Sequence, residues 1–122
     1  HSSIVIDYIP ENVNNEAQWI YYPDSSLDYH RILVRHNFCP NSKGCWTETN
    51  LDRFNKEKSK EGNYFIMDYA YPLNTIGKPE KMKQLLEYTK SKGVIGLGRW
   101  GEWQHYNSDV VVNLALECAD TI

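Results

Sequence analysis

Apolar and aromatic residues in the first two thirds of the chain fall in short runs separated by polar turns, and in the last third they recur at three and four. Ile4-Val5-Ile6 and Trp19-Ile20-Tyr21-Tyr22 are strand-like runs, the second ended by Pro23-Asp24-Ser25. Tyr29 to Asn37 predicts a longer strand. Alternation puts Tyr29, Arg31, Leu33 and Arg35 on one of its faces and His30, Ile32, Val34 and His36 on the other. Cys39 to Gly44 supplies turn chemistry, and Cys45 to Thr49 predicts the return strand of an antiparallel hairpin. Tyr64 to Tyr71 predicts a further strand, closed by Pro72 because proline cannot continue a ladder.

The last third changes period. Pro79 suits the first turn of a helix, Met82, Leu85 and Leu86 mark its apolar stripe, and Gly93 is its stop. Val94 to Leu97 reads as a short buried strand. Ser108-Asp109 opens a second helix, with Val111, Leu114, Ala115, Cys118, Ala119 and Ile122 on one face. Strands followed by helices predict an α+β fold with an antiparallel or mixed sheet and two helices. An exposed stripe on the last helix would favour pairing of two copies.

Composition narrows the classes. The chain of 122 residues is long enough for one domain or a piece of one, and its 41% hydrophobic and 24% charged residues are ordinary for a globular protein. A formal charge of −3 argues against a nucleic-acid surface. The basic stretch Arg53 to Lys60 is interleaved with Glu57 and reads as a solvated loop. No run reaches the roughly 18 apolar residues of a membrane span. The start, His1-Ser2-Ser3, carries no signal pattern and no Met, which leads to the expectation of a fragment. Cys39, Cys45 and Cys118 are an odd set without CxxC spacing, and read as reduced thiols of a cytoplasmic protein.

Candidate chemistry concentrates in two places. Gly96-Leu97-Gly98-Arg99-Trp100-Gly101 lies between the predicted strand and the last helix, where small residues admit a ligand to the backbone and Arg99 adds a permanent charge. The glycines have GxGxxG spacing, but the helix starts later and no βαβ unit follows, so this is not a dinucleotide fingerprint. Arg31 and Glu48 fall on neighbouring strands of the predicted hairpin, as an ordinary surface ion pair or a ligand site. The histidines are scattered, with His30 and His36 too far apart along a strand to share a metal, so no metal site is expected. No nucleophile constellation is present.

Four blocks, in order, resemble the C-terminal half of the UDP-galactopyranose mutases and of related amine-oxidase and protoporphyrinogen-oxidase-like flavoproteins. They are Tyr29-His30-Arg31-Ile32 through Phe38, Trp46-Thr47-Glu48, Tyr69-Ala70-Tyr71-Pro72-Leu73, and Gly98-Arg99-Trp100-Gly101-Glu102-Trp103 with its following helix. The resemblance runs from about Trp19 onward. It implies part of a discontinuous FAD and substrate-domain flavoenzyme, with residues 1–93 substrate-domain-like and 94–122 a strand and helix of the FAD-binding domain. It also implies reduced FAD as the working cofactor, acting covalently at the anomeric carbon of a UDP-sugar in surface polysaccharide (lipopolysaccharide) biosynthesis. Arg31, Glu48, Tyr71 and Tyr106 would face the substrate, and Gly98, Arg99 and Asp109 the cofactor. Where mutases place a tyrosine six positions after the Gly-Arg arginine, this chain has His105, with Tyr106 next and Asp109 shifted along.

The resemblance further implies that the N-terminal FAD-binding half lies outside these residues and that the chain alone is inactive and binds no FAD. An oxidoreductase of the same superfamily is the alternative. A non-catalytic carbohydrate-binding module, using the nine Tyr and four Trp, is the third reading.

Overall fold

Strand β1 (Ser2–Ile9), built around the apolar run Ile4-Val5-Ile6, belongs to a sheet whose other strands are β2 (Trp19–Tyr21), β3 (Tyr29–Val34), β4 (Cys45–Asn50) and β5 (Tyr64–Tyr71). The helices are α1 (Arg35–Phe38), α2 (Lys78–Ser91), α3 (Gly98–Gly101) and α4 (Ser108–Ala119). This computed structural model describes residues 1–59 and 62–121. Lys60, the end of the predicted basic loop, and Ile122, the end of the predicted helical stripe, lie outside the described residues. The architecture is α+β, as the order of strands and helices predicts, with α2 and α4 the multi-turn helices among the described residues.

The sheet order is β2-β3-β4-β1-β5, so β4 lies between the hairpin partner β3 and the N-terminal strand. Ladders β1–β4, β2–β3 and β3–β4 are antiparallel. The Tyr8 N–H donates to the Asn63 carbonyl (3.0 Å) and Ser3 Oγ to the Asp68 carbonyl (2.8 Å). Partner numbers that rise as β1 numbers fall make that edge antiparallel too.

Residues directly opposite one another share a face. One face carries the row Ile20, Ile32, Thr47 and Asp7, beside Val34, Cys45 and Val5. Val5 and Val34 are fully buried there, and Ile9, Val13, Ile20, Tyr22 and Tyr29 pack against the Ile32-Val34-Cys45 cluster. The other face carries Tyr21, Arg31, Glu48 and Ile6 in one row and Trp19, Leu33, Trp46 and Tyr8 in the next.

The strand expected over Tyr29 to Asn37 ends at Val34. Its partner β2 starts at Trp19, and the Val34 N–H makes the last bond on that side, to the Gln18 carbonyl (2.8 Å). The Asn37 side chain then takes the Asn15 and Ala17 carbonyls at 2.6 and 2.8 Å, and the chain turns into α1. The simple face assignment of β3 also fails at its start. Tyr29 pairs with Thr49 and Arg31 with Glu48, so His30 and Arg31 together oppose a single residue. This bulge lets Tyr29 join the Ile32 and Val34 face and brings His30 round towards Glu48.

By contact density the chain divides into two compact units, His1–Ala70 and Tyr71–Ile122. In the second, Pro79 stands in the first turn of α2, and Gly93 follows its end at φ +77°. Val94 to Leu97, expected as a strand, has no ladder partner among the described residues. A four-residue apolar run forms a strand only against an open edge. Here Gly96 lies instead against the Gly101 backbone, where an added Cβ would come within 2.6 Å of the Gly101 oxygen. No helix among the described residues is long and apolar enough to cross a membrane.

Candidate functional site

In the first unit the chemistry gathers on the face opposite the core. Glu48 is held on the central strand β4 with its side chain 5% exposed, and Arg31 reaches it from β3. One guanidinium nitrogen, Nη2, donates to both Glu48 oxygens, at 2.5 and 2.7 Å. The other, Nη1, donates to the Tyr21 hydroxyl at 3.0 Å, and Cζ lies 5.4 Å from the Tyr21 ring centroid. His30 Nε2 lies 3.7 Å from the same carboxylate, a position only the bulge permits. The result is a carboxylate flanked by two basic side chains, one of them also held by a phenol, half open to solvent through Arg31 and His30.

One ladder step away on this face, the Arg35 guanidinium lies between the rings of Tyr8 and Trp46, with Cζ 5.2 and 5.3 Å from their centroids. Its Nη1 donates to the Lys43 carbonyl at 2.8 Å, which ties down the turn into β4. Leu33, Phe38, Ser42 and Trp46 line a hollow of about 310 Å³ beside it. On the core face a separate hollow of about 390 Å³ is floored by Ile32, Cys45 and Thr47, with Asp7 at its side accepting from the Ser59 hydroxyl at 2.7 Å. Burial, and secondarily the Glu11 charge, push the Cys45 thiol above its ordinary range, so it is a poor nucleophile.

In the second unit Gly98 adopts φ +78°, and a Cβ there would come within 3.2 Å of Val111 on α4. Its N–H donates to Glu102 Oε2 at 3.1 Å. Arg99 turns back on the chain, with Nε and Nη2 donating to the Tyr106 carbonyl at 3.2 and 2.7 Å. His105 donates from Nε2 to the Pro72 carbonyl at 2.7 Å and its ring stacks on Tyr71, with centroids 6.0 Å apart. Trp103 takes the left-handed conformation at φ +55° that makes this return possible, and Gln104 N–H then bonds the Arg99 carbonyl at 2.9 Å. Asp109 is exposed in the first turn of α4, whose N-cap Asn107 makes no side-chain cap bond.

The predicted residues therefore fall into two groups. Arg31 and Glu48 are brought together in the first unit. Tyr71, Gly98, Arg99, Tyr106 and Asp109 lie in the second, where Arg99 holds the Tyr106 carbonyl and Tyr71 stacks on His105. Sequence reasoning missed Tyr21 and His30 as partners of Arg31 and Glu48. It also missed Lys78, which is 8% exposed at the start of α2, with Nζ donating to Asn74 Oδ1 at 2.6 Å and to Gln104 Oε1 at 3.4 Å. A lysine in a helix's first turn ordinarily faces water, so nothing in the pattern signalled its burial. Among the described residues no group of three or more His, Cys, Asp or Glu gathers around a common point.

The fold has a counterpart among solved proteins. The chain is similar in fold to UDP-galactopyranose mutase. A crystal structure of the reduced form of that enzyme matches it with a TM-score of 0.62 at 14% sequence identity, over 85% of this chain. The chain spans 28% of the length of that mutase. No family model matches the sequence, and no curated protein matches it. At such low identity the likeness to the mutase is one of fold.

Proposed function

We propose that the chain is part of an FAD-dependent, mutase-like enzyme that interconverts the pyranose and furanose forms of a UDP-sugar for surface-polysaccharide synthesis. The observation that carries this reading is the fold likeness to UDP-galactopyranose mutase over 85% of the chain. In this reading Arg31, steadied by Glu48, meets the substrate diphosphate, and Tyr71 and Tyr106 border the sugar. The division into a substrate part at 1–93 and a cofactor part at 94–122 belongs to the same proposal, as does a main dinucleotide site supplied by residues outside these.

The residues at the Gly98 corner suit the edge of a flavin nucleotide in part. The first turn of α4 keeps its N–H groups uncapped by Asn107, and a helix start of that kind favours an anion. The Gly98 N–H, by contrast, is already taken by Glu102. The α4 start, with Arg99 fixing Tyr106 just before it, is therefore the part of this chain that would hold the cofactor. FAD, when bound, supplies the electron-rich ring that the sugar chemistry needs. The chain's own residues bind and orient: guanidinium groups offset diphosphate charge, and tyrosine rings shape the sugar site.

The test is UDP binding by the full-length protein, followed calorimetrically, with Arg31→Lys. Lysine keeps the charge but loses the planar fork, so affinity should fall about tenfold. Unchanged affinity removes Arg31 from the diphosphate role. The 122 residues alone should purify without flavin, and stoichiometric yellow flavin in them would refute an outside cofactor site.

One observation favours a second reading, an oxidoreductase on the same fold. Glu48 already compensates the Arg31 charge, an arrangement that also suits an uncharged substrate. Flavin reduction by an amine, with no UDP binding, would select it.

A further inference from the structure

We infer that Tyr21 is a positioning residue for Arg31, fixing the plane of its guanidinium so that an anionic ligand meets it ready-oriented. The inference rests on the diphosphate reading above. Arginine has several rotatable bonds, and its fork is useful only when its plane is set.

Glu48 does not set that plane alone. Both of its oxygens bind the same nitrogen, Nη2, at 2.5 and 2.7 Å. A contact through one nitrogen is a hinge, about which the rest of the guanidinium can swing. The Tyr21 hydroxyl accepts from the opposite terminal nitrogen, Nη1, at 3.0 Å, and its ring lies 5.4 Å from Cζ. Anchors on the two terminal nitrogens, one from β2 and one from β4, remove the swing. The register makes this unavoidable, because Tyr21, Arg31 and Glu48 stand directly opposite one another on three adjacent strands. Tyr21 is 61% exposed on an edge strand, so its hydroxyl is no part of the core. Holding the fork before the ligand arrives lowers the ordering cost of binding.

The experiment is a double-mutant cycle in the full-length protein, with Tyr21→Phe, Arg31→Lys and both, read by UDP affinity and thermal midpoint. Tyr21→Phe keeps the ring and removes only the hydroxyl. It should weaken UDP binding roughly three- to tenfold, leave the midpoint unchanged, and have no further effect once Arg31 is lysine. Equal weakening in the Arg31→Lys background would show that Tyr21 touches the ligand itself, and would overturn a positioning role. A silent Tyr21→Phe beside a damaging Arg31→Lys overturns this inference alone. A silent Arg31→Lys overturns the diphosphate reading and this inference with it.

Discussion

Arg31 and Glu48 face each other across the β3–β4 ladder, with one guanidinium nitrogen shared by both carboxylate oxygens and the glutamate side chain only 5% exposed. A carboxylate this far out of water is tolerated because its partner is so close. Replacing Glu48 by Gln keeps the shape and removes the charge, which leaves a partly buried guanidinium uncompensated. Because Arg31 is itself 20% exposed, the loss is discounted from that of a fully buried pair, to about 1–3 kcal/mol. Urea denaturation of wild type and Glu48→Gln measures it, and an unchanged midpoint would mean that the pair contributes nothing to the fold.

At the other extreme, the Lys58–Asp28 pair has a 2.8 Å contact, but its side chains are 71% and 48% exposed. Removing Lys58 should leave stability essentially unchanged. The Asp28 carboxyl is held below its ordinary range, first by the hydrogen bond from Lys58 and then by its charge. Lys58→Met should therefore shift the Asp28 titration, followed by NMR, to higher pH.

Where sequence and structure agree, the signals were local ones. Pro79 and Gly93 bracket α2 because each acts on its own backbone, and Pro72 follows β5 for the same reason. The Arg31–Glu48 juxtaposition needed only a hairpin turning near Asn41. What was not legible depended on neighbours. Alternation along β3 carries no mark of the bulge at His30, which shows only in the pairing of β3 with β4, and so the Glu48 surroundings stayed hidden. Val94 to Leu97 has strand-like residues, but strand formation also needs an edge to pair with. Arg99 read as a charge turned towards a ligand, yet its use on the Tyr106 carbonyl depends on the Trp103 turn, and an aromatic residue does not advertise φ +55°.

Gly96 tests that corner directly. A Cβ there would lie 2.6 Å from the Gly101 oxygen and 2.7 Å from Leu86 Cδ2, and the first of these is backbone that cannot simply rotate away. Gly96→Ala should cost about 1–3 kcal/mol, seen as earlier melting of the second unit by hydrogen exchange. Gly77→Ala is the control. The nearest atom a Cβ would meet there, Lys81 Cε, would be 3.9 Å away, and its φ of −82° is open to alanine, so the change should stay within about 0.5 kcal/mol.

The three thiols should separate cleanly in a labelling experiment. Cys39 is exposed, Cys118 half-buried, and Cys45 buried at 3% exposure. The thiolate is the reacting species, and Cys45 is short of it twice over, through burial and through the Glu11 charge. At neutral pH iodoacetamide should modify Cys39 first, Cys118 more slowly and Cys45 only as the unit opens. The same shift sets a pH dependence of stability. A thiol held above its ordinary range in the fold ionises first in the unfolded chain as pH rises, so the unfolded state then binds fewer protons. The Cys45 contribution is therefore complete below the ordinary thiol range and is lost as pH climbs through the alkaline region. Cys45→Ser would bury a hydroxyl, so Cys45→Ala is the better comparison: wild type should lose more stability than Cys45→Ala between neutral and alkaline pH. Parallel losses in the two proteins would show that the buried thiol does not govern the alkaline limb.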